Sequence, residues 1–317
     1  MSRDSVDVVI LSWKRVQMTL EAVRSVLDQR NVEPVVWVLD QGSGVSDTAR
    51  LEAALTPLAQ VHYIQLGRNL GVAEGRNRGI DHGSAPVVVC LDNDAVFNDA
   101  NALCHVFERF DADDRLGALG FRIVDAATGE LDRRSWVYPR SRLAQNEAGF
   151  VTTRFCGAGH ALRREAFSRS GGYDPSLFFY WEEVDLSNRM IQEGYTIEYD
   201  PAVIVLHKRD EEGRYHWKDD RFYYLVRNAL YLEWKFYRSP VRLAMMAVGY
   251  LAKGIYNGLA GPALRGLLAA LPRMWHLVPP SQPLGMSARA YIRQYETRYR
   301  GGLWTRLRHE VLEKLPS

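Results

Sequence analysis

Short apolar runs alternate with amphipathic segments through the first 91 residues, and this rhythm leaves few folds open. Residues 6–11 read as a buried strand, and 19–28 as a helix with Leu20, Val23, Val26 and Leu27 on one face. The order then repeats: strand 35–39, helix 46–58 capped by Ser46 or Asp47, strand 61–66, helix 72–80 and the valine-rich strand 86–91. Strands that are apolar throughout and separated by helices need a parallel sheet covered on both faces. An α/β architecture is the expectation.

The rhythm then loosens. A turn at 125–129 suggests a hairpin over 121–138, and 139–150 reads as an exposed loop. Helices are expected at 163–170 and 184–193, with short strands 196–199 and 203–206 flanking Asp200-Pro201. A run of charge follows His207. Beyond it come a helical region over 222–236 and a Gly-, Leu- and Arg-rich amphipathic stretch to about 277. A boundary near Gly213 divides the chain into a catalytic part, 1–213, and a helical extension, 214–317.

Charge agrees with that division. Lys and Arg number 40 against 38 Asp and Glu, but 1–213 carries 23 basic and 32 acidic residues while 214–317 carries 17 and 6. The overall balance argues against a nucleic-acid binder, and a basic amphipathic tail can either pack as a helical subdomain or lie on an anionic membrane. Cys90, Cys104 and Cys156 are unclustered, which fits a reducing compartment. With no signal-peptide run at the start and no window near about 18 apolar residues, the chain is expected to be cytoplasmic, with peripheral membrane contact as the variant reading.

In an open parallel sheet, ligands lie beyond the carboxyl ends of the strands. Those ends read Ser12-Trp13-Lys14-Arg15, Asp40-Gln41-Gly42-Ser43, Asn69-Leu70-Gly71 with Arg76-Asn77-Arg78-Gly79, and Asp92-Asn93-Asp94. An aromatic ring, carboxylates and an arginine converge there, as a nucleotide requires. The turn after the first strand lacks the glycines of a dinucleotide fingerprint or a nucleotidyltransferase phosphate loop. Carboxylates at i and i+2 in Asp92-Asn93-Asp94 can share a hard cation with a diphosphate, or simply cap a strand as a polar turn.

These segments, in this order, resemble the GT-A-fold glycosyltransferases of family 2, the inverting nucleotide-sugar enzymes, and within them the rhamnosyltransferase-like branch. Asp92-Asn93-Asp94 matches the DxD motif. Gly171-Gly172-Tyr173-Asp174, the run Phe178 to Leu186, and His207 complete the series. The resemblance implies a mostly parallel GT-A sheet with a C-terminal helical extension. It implies a nucleotide-diphosphate sugar donor, bound through Ser12, Trp13, Arg15, Asp40, Arg76, Asp92 and Asn93. Trp13 would stack on the base, Asp40 would meet base or ribose, and Arg76 the base edge. A divalent cation, Mn²⁺ or Mg²⁺, would be held by Asp94, His207 and Asp92.

Glu183 stands where the family's catalytic base lies, a glutamate where aspartate is common, and Asp185 is the more structural neighbour. Trp181 and Glu182 would face the acceptor, a hydroxyl of a glycan, a lipid-linked or another small molecule. The implied activity is hexosyl transfer in polysaccharide biosynthesis. A sugar-1-phosphate nucleotidyltransferase and a non-catalytic nucleotide-sugar-binding scaffold are the alternatives. The polar segment 208–221 reads either as a lid over bound donor or as a solvated linker.

Overall fold

A computed structural model describes residues 5–208, 220–277, 281–306 and 314–315. The N-terminal alternation is realised as β1 (Ser5–Ser12), α1 (Val16–Leu27), β2 (Glu33–Asp40), α2 (Val45–Leu55), β3 (Val61–Gln65), α3 (Gly71–His82) and β4 (Val87–Asp92). Strand β5 (Ala95–Phe97), helix α4 (Ala102–Ala112) and strand β6 (Leu116–Asp125) follow. Next come β7 (Phe150–Thr152), β8 (Gly159–Arg163), α5 (Arg164–Arg169), α6 (Glu182–Gln192) and β9 (Thr196–His207). The C-terminal part is helical: α7 (Phe222–Tyr237), α8 (Pro240–Tyr256), α9 (Ala260–Trp275) and α10 (Met286–Tyr295).

The strands form one sheet in the order β3-β2-β1-β4-β8-β6-β9-β5, with β7 also on β9. Strands β3, β2, β1 and β4 are parallel throughout, as is the β6–β9 pair, and β8, β5 and β7 run antiparallel to their neighbours. Alternation along β1 explains the two layers. Val6, Val8 and Ile10 pack with α1, α2 and α4, whereas Val9 packs on the other face with α3, α6, α7 and α10. Each such side chain, fully buried, stabilises the fold by roughly 1.5–3 kcal/mol. The helical extension shares a core with the sheet: Tyr231, Leu232, Phe236, Ala288 and Ile292 lie in the same cluster as Val9 and Leu39.

Several local expectations are corrected. Helix α2 has Gly44 as its cap, because the Asp40 turn carries the chain into it from a positive φ. No hairpin fills 121–138. Only Val124 bridges Leu131, since β6 instead spends its edges on β8 and β9. The loop over 139–150 contains a 3-10 turn at Arg140–Gln145. The two strands around Asp200-Pro201 are one strand, β9, with an irregularity in its pairing to β6 that absorbs the proline. The boundary near Gly213 and most of the 208–221 segment lie outside the described residues.

Helices α8 and α9 are acid-free in sequence, yet carry Arg242, Lys253, Arg265 and Arg273. Nine of the twelve exposed large apolar residues among the described ones lie on this pair, including Val241, Met245, Val248, Leu264, Leu268 and Trp275. Among the described residues, no helix is long and apolar enough to cross a membrane.

Candidate active site

The crevice is built by the turns beyond β1, β2 and β4. Lys14 and Arg15 both take positive φ, 60° and 54°, which folds the chain back sharply after β1. Arg15 Nη1 then donates to Asp94 Oδ2 at 2.6 Å. The Lys14 N–H donates to Ser43 Oγ, tying this turn to the one after β2. Trp13 is only half-buried and belongs to no core cluster, and Lys14 Nζ lies 5.0 Å from the centre of its ring.

Asp40 is buried and its two oxygens are engaged. Ser43 donates twice to Oδ1, and Thr48 and Tyr63 hydroxyls donate to Oδ2 at 2.7 and 2.8 Å. Burial pushes its pKa up, but these donors outweigh it and hold the carboxyl below its usual value. Ser12 likewise bonds Thr19 inside the core, and Asn93 donates to the same Thr19 oxygen. These bonds of Asp40, Ser12 and Asn93 fix the turns that shape the crevice.

Beyond β4, Asp94 meets the end of β9. His207 Nε2 stands 3.4 Å from Asp94 Oδ1, and His207 Nδ1 is 3.0 Å from Asp132 Oδ2. The two residues lie 113 positions apart in sequence and are brought together because β5, just after Asp94, pairs antiparallel with β9, Ala95 opposite His207. Burial opposes a charge on His207, yet the hydrogen bonds and charges of Asp132 and Asp94 raise its pKa to about 10. Asp132, which the sequence did not single out, is held well below its usual value despite burial, chiefly by His207 and Ser135. A carboxylate behind a histidine is the usual way to fix the ring nitrogen that faces a metal.

Arg76 occupies the centre. Helix α3 lies close on β1 because Gly79 has no side chain; a Cβ there would come within 2.4 Å of Val9. That approach buries Arg76, whose guanidinium donates to Glu183 Oε1 at 2.8 Å, to Asp92 Oδ1 at 3.2 Å and to the Gly157 carbonyl at 2.8 Å. In the structure it is the shared counter-ion of these two carboxylates. Gly157 is a further residue missed from sequence, for a Cβ there would sit 2.4 Å from Glu183 Oε1.

Glu183 follows a strained loop. Phe178, Tyr180 and Trp181 all have positive φ, between 62° and 75°, and such conformations persist only where surroundings enforce them. Helix α7 supplies the enforcement. Asn228 Nδ2 donates to the carbonyls of Leu177, Phe179 and Tyr180, and Leu225 O accepts from the Trp181 indole. Lys235, wholly buried, pairs with Asp174 and Asp185 at 3.0 and 2.7 Å. Asp185 also bonds Arg189, which fits its structural assignment. Glu182 is buried with Oε2 unbonded among the described residues, and burial together with Glu183 raises its pKa far above normal. Its side chain lies buried at the start of α6.

Asp94 and His207 offer two ligands of the kind Mn²⁺ and Mg²⁺ accept, with Asp92 on the same turn. Among the described residues no set of three or more His, Cys, Asp or Glu could hold an ion by itself. Arg15 takes one oxygen of Asp94. This partial set fits an ion that completes its coordination with phosphate oxygens and water.

The fold is an α/β sheet with its crevice at the carboxyl ends of the parallel strands. Residues 7–171 match the model of glycosyl transferase family 2, and the chain belongs to that family. An uncharacterised protein of Haemophilus influenzae is 28% identical over 177 residues, covering 54% of this chain and 93% of that protein. The poly-beta-1,6-N-acetyl-D-glucosamine synthase of Staphylococcus aureus (strain COL) is 24% identical over 58% of this chain, which spans only 45% of that enzyme.

Among solved structures, the mannosyltransferase PcManGT from Pyrobaculum calidifontis, in complex with GDP-Man and Mn²⁺, has a TM-score of 0.60 at 18% identity. That match covers 97% of this chain and 84% of that one. GalNAc-T7 with UDP, GalNAc and Mn²⁺ has a TM-score of 0.65 at 16% identity, covering 93% and 58%. These likenesses establish the GT-A fold, and the family makes the chain a glycosyltransferase.

Proposed function

We propose that this glycosyltransferase moves a sugar from a nucleotide-diphosphate donor to an acceptor hydroxyl with inversion, using Glu183 as general base. One observation carries the reading: Glu183, Arg76 and Asp92 form one hydrogen-bonded chain beside the Asp94–His207 pair. The family match ends at residue 171, so the roles of Glu183 and His207 rest on this geometry. The resemblance to a rhamnosyltransferase-like branch names the donor sugar class, a hexosyl group. A division into a catalytic part, 1–213, and a helical part, 214–317, follows the basic charge of the second.

As the acceptor oxygen bonds the anomeric carbon, the carbon–diphosphate bond breaks on the opposite side and the hydroxyl proton passes to Glu183. Arg76 holds that carboxylate in place and keeps it from repelling Asp92. Trp13 offers a ring for the base. A divalent cation at Asp94, His207 and Asp92 would neutralise the negative charge on the departing diphosphate. The nucleotidyltransferase alternative loses its ground with the family assignment. The scaffold alternative is disfavoured by the intact acid–imidazole set.

A thermal-shift screen of UDP, dTDP and GDP tests the donor and metal together. One of them with Mn²⁺ stabilises the protein by about 2.7 kcal/mol at a hundred times its Kd. The shift disappears with EDTA and in Asp94→Asn and His207→Ala. An undiminished shift under all three conditions rejects the metal site.

The exposed apolar and basic face of α8 and α9 supports peripheral contact with an anionic membrane on the cytoplasmic side. In flotation with phosphatidylglycerol vesicles, wild type rises and Val248→Glu/Leu268→Glu stays at the bottom. Equal flotation of both proteins rejects the contact.

A further inference from the structure

Arg15 holds the oxygen that a cation at Asp94 needs. Its Nη1 donates to Asp94 Oδ2 at 2.6 Å, and His207 Nε2 faces the other oxygen, Oδ1, at 3.4 Å. Asp92, on the same turn, turns Oδ1 to Arg76 at 3.2 Å. The Arg15–Asp94 pair is enclosed, its side chains 9% and 7% exposed, so solvent ions screen it little. An ion reaches Asp94 Oδ2 only by taking the place of the guanidinium.

The backbone keeps that guanidinium from leaving the crevice. Lys14 and Arg15 both lie in the left-handed region, and the surrounding turns hold them there. The Lys14 N–H donates to Ser43 Oγ at 2.8 Å. The Arg15 carbonyl accepts from the Thr19 N–H at 3.0 Å and from the Thr19 hydroxyl at 3.3 Å. With both ends of the turn tied, only the side chain can swing. A displaced Arg15 therefore stays near the cation that displaced it, and the two like charges repel. A diphosphate relieves this, because it offers some oxygens to the guanidinium and others to the ion.

We propose that Arg15 is an internal stand-in for the cation, a latch on Asp94 that makes metal binding depend on the diphosphate of the donor. With the latch on Asp94, the site is open only part of the time, and the apparent affinity for the ion alone falls by that fraction. The diphosphate draws Arg15 off Asp94 and removes this handicap. The coupling is reciprocal: the ion tightens nucleotide binding by the same factor. The inference rests on reading Asp94, His207 and Asp92 as the metal site.

Electron paramagnetic resonance of free Mn²⁺, titrated with the full chain in the absence of nucleotide, reads the latch without turnover. Arg15→Gln is expected to bind Mn²⁺ more tightly than wild type by roughly tenfold or more. Lys14→Gln removes the neighbouring charge, which lies over the Trp13 ring, and is expected to match wild type. Calorimetry supplies the reciprocal measurement: the affinity for UDP or GDP in Mn²⁺ relative to that in EDTA. This ratio is expected to be larger in wild type than in Arg15→Gln. A gain in affinity cannot come from a misfolded chain. Should Arg15→Gln lose its cooperative thermal transition, Arg15→Met is measured in its place under the same criterion.

Equal Mn²⁺ affinity of wild type and the Arg15 variant overturns the latch, as do equal nucleotide ratios. An equal gain in Lys14→Gln also overturns it, in favour of general electrostatics. In each of these cases the metal site itself stands. If no protein binds Mn²⁺ even with nucleotide, the metal site falls and the latch falls with it.

Discussion

Glu183→Gln should retain nucleotide-sugar binding and lose sugar transfer by roughly 10²–10⁴-fold, the contribution of a positioned general base. That loss corresponds to about 3–5 kcal/mol of transition-state stabilisation. Glutamine keeps an oxygen that can accept from Arg76, so the 2.8 Å contact and the shape of the crevice survive while basicity is removed. The loss therefore falls on kcat and not on the donor KM. Glu182→Gln is the matched control. Its carboxyl is buried, and burial together with Glu183 raises its pKa, so replacing it with a neutral amide changes kcat far less. If Glu183→Gln transferred sugar at the wild-type rate, or Glu182→Gln were the dead variant, the assignment of the base would fall.

Lys235→Met should be the most destabilising single change in the helical extension. The ammonium sits fully buried between Asp174 and Asp185, which flank the strained loop before Glu183. Burial pushes the Asp174 pKa up, and Lys235, with Ser176 and Tyr231, overcomes this and holds it low. Removing one partner of a buried ion pair leaves uncompensated charge and costs about 3–5 kcal/mol. For a chain of this size that lowers the melting midpoint by roughly 6–15 °C. Lys235→Met and the exposed-site variant Arg24→Met, compared by calorimetry, check the number. A shift below about 2 °C in the buried variant would mean that α7 does not restrain the loop. The same loss should relax Phe178, Tyr180 and Trp181, so residual transfer falls further than the unfolded fraction explains.

Local patterning made the N-terminal half legible. Apolar runs such as Val8 to Leu11 and Val87 to Leu91 are too short for buried helices and read as strands buried on both faces, and Leu20, Val23 and Leu27 recur at helical spacing. The same logic failed for the second half of the sheet. Strand β8 is only five residues long and β5 three, too short for periodicity to register. The hairpin expected over 121–138 was drawn from a real turn, but the pairing partners of β6 come from residues 40 and 80 positions away, which no local pattern reports.

Chemical identity belonged to the sequence in the same way. Asp92, Asp94, Glu183 and His207 stand out by type and by their place after strands or at a helix start, and the model of the family matches the segment that holds the first two. What each side chain touches was decided by tertiary structure alone. Folding joined Asp94 to His207, put Asp132 behind the imidazole, and made Arg76 the counter-ion of Asp92 and Glu183. It also closed Asp40 off with three side-chain donors. The physical reason is range: helix and strand preferences act over a few residues, whereas ion pairing and burial act between groups that only the packed sheet and α7 bring within 4 Å.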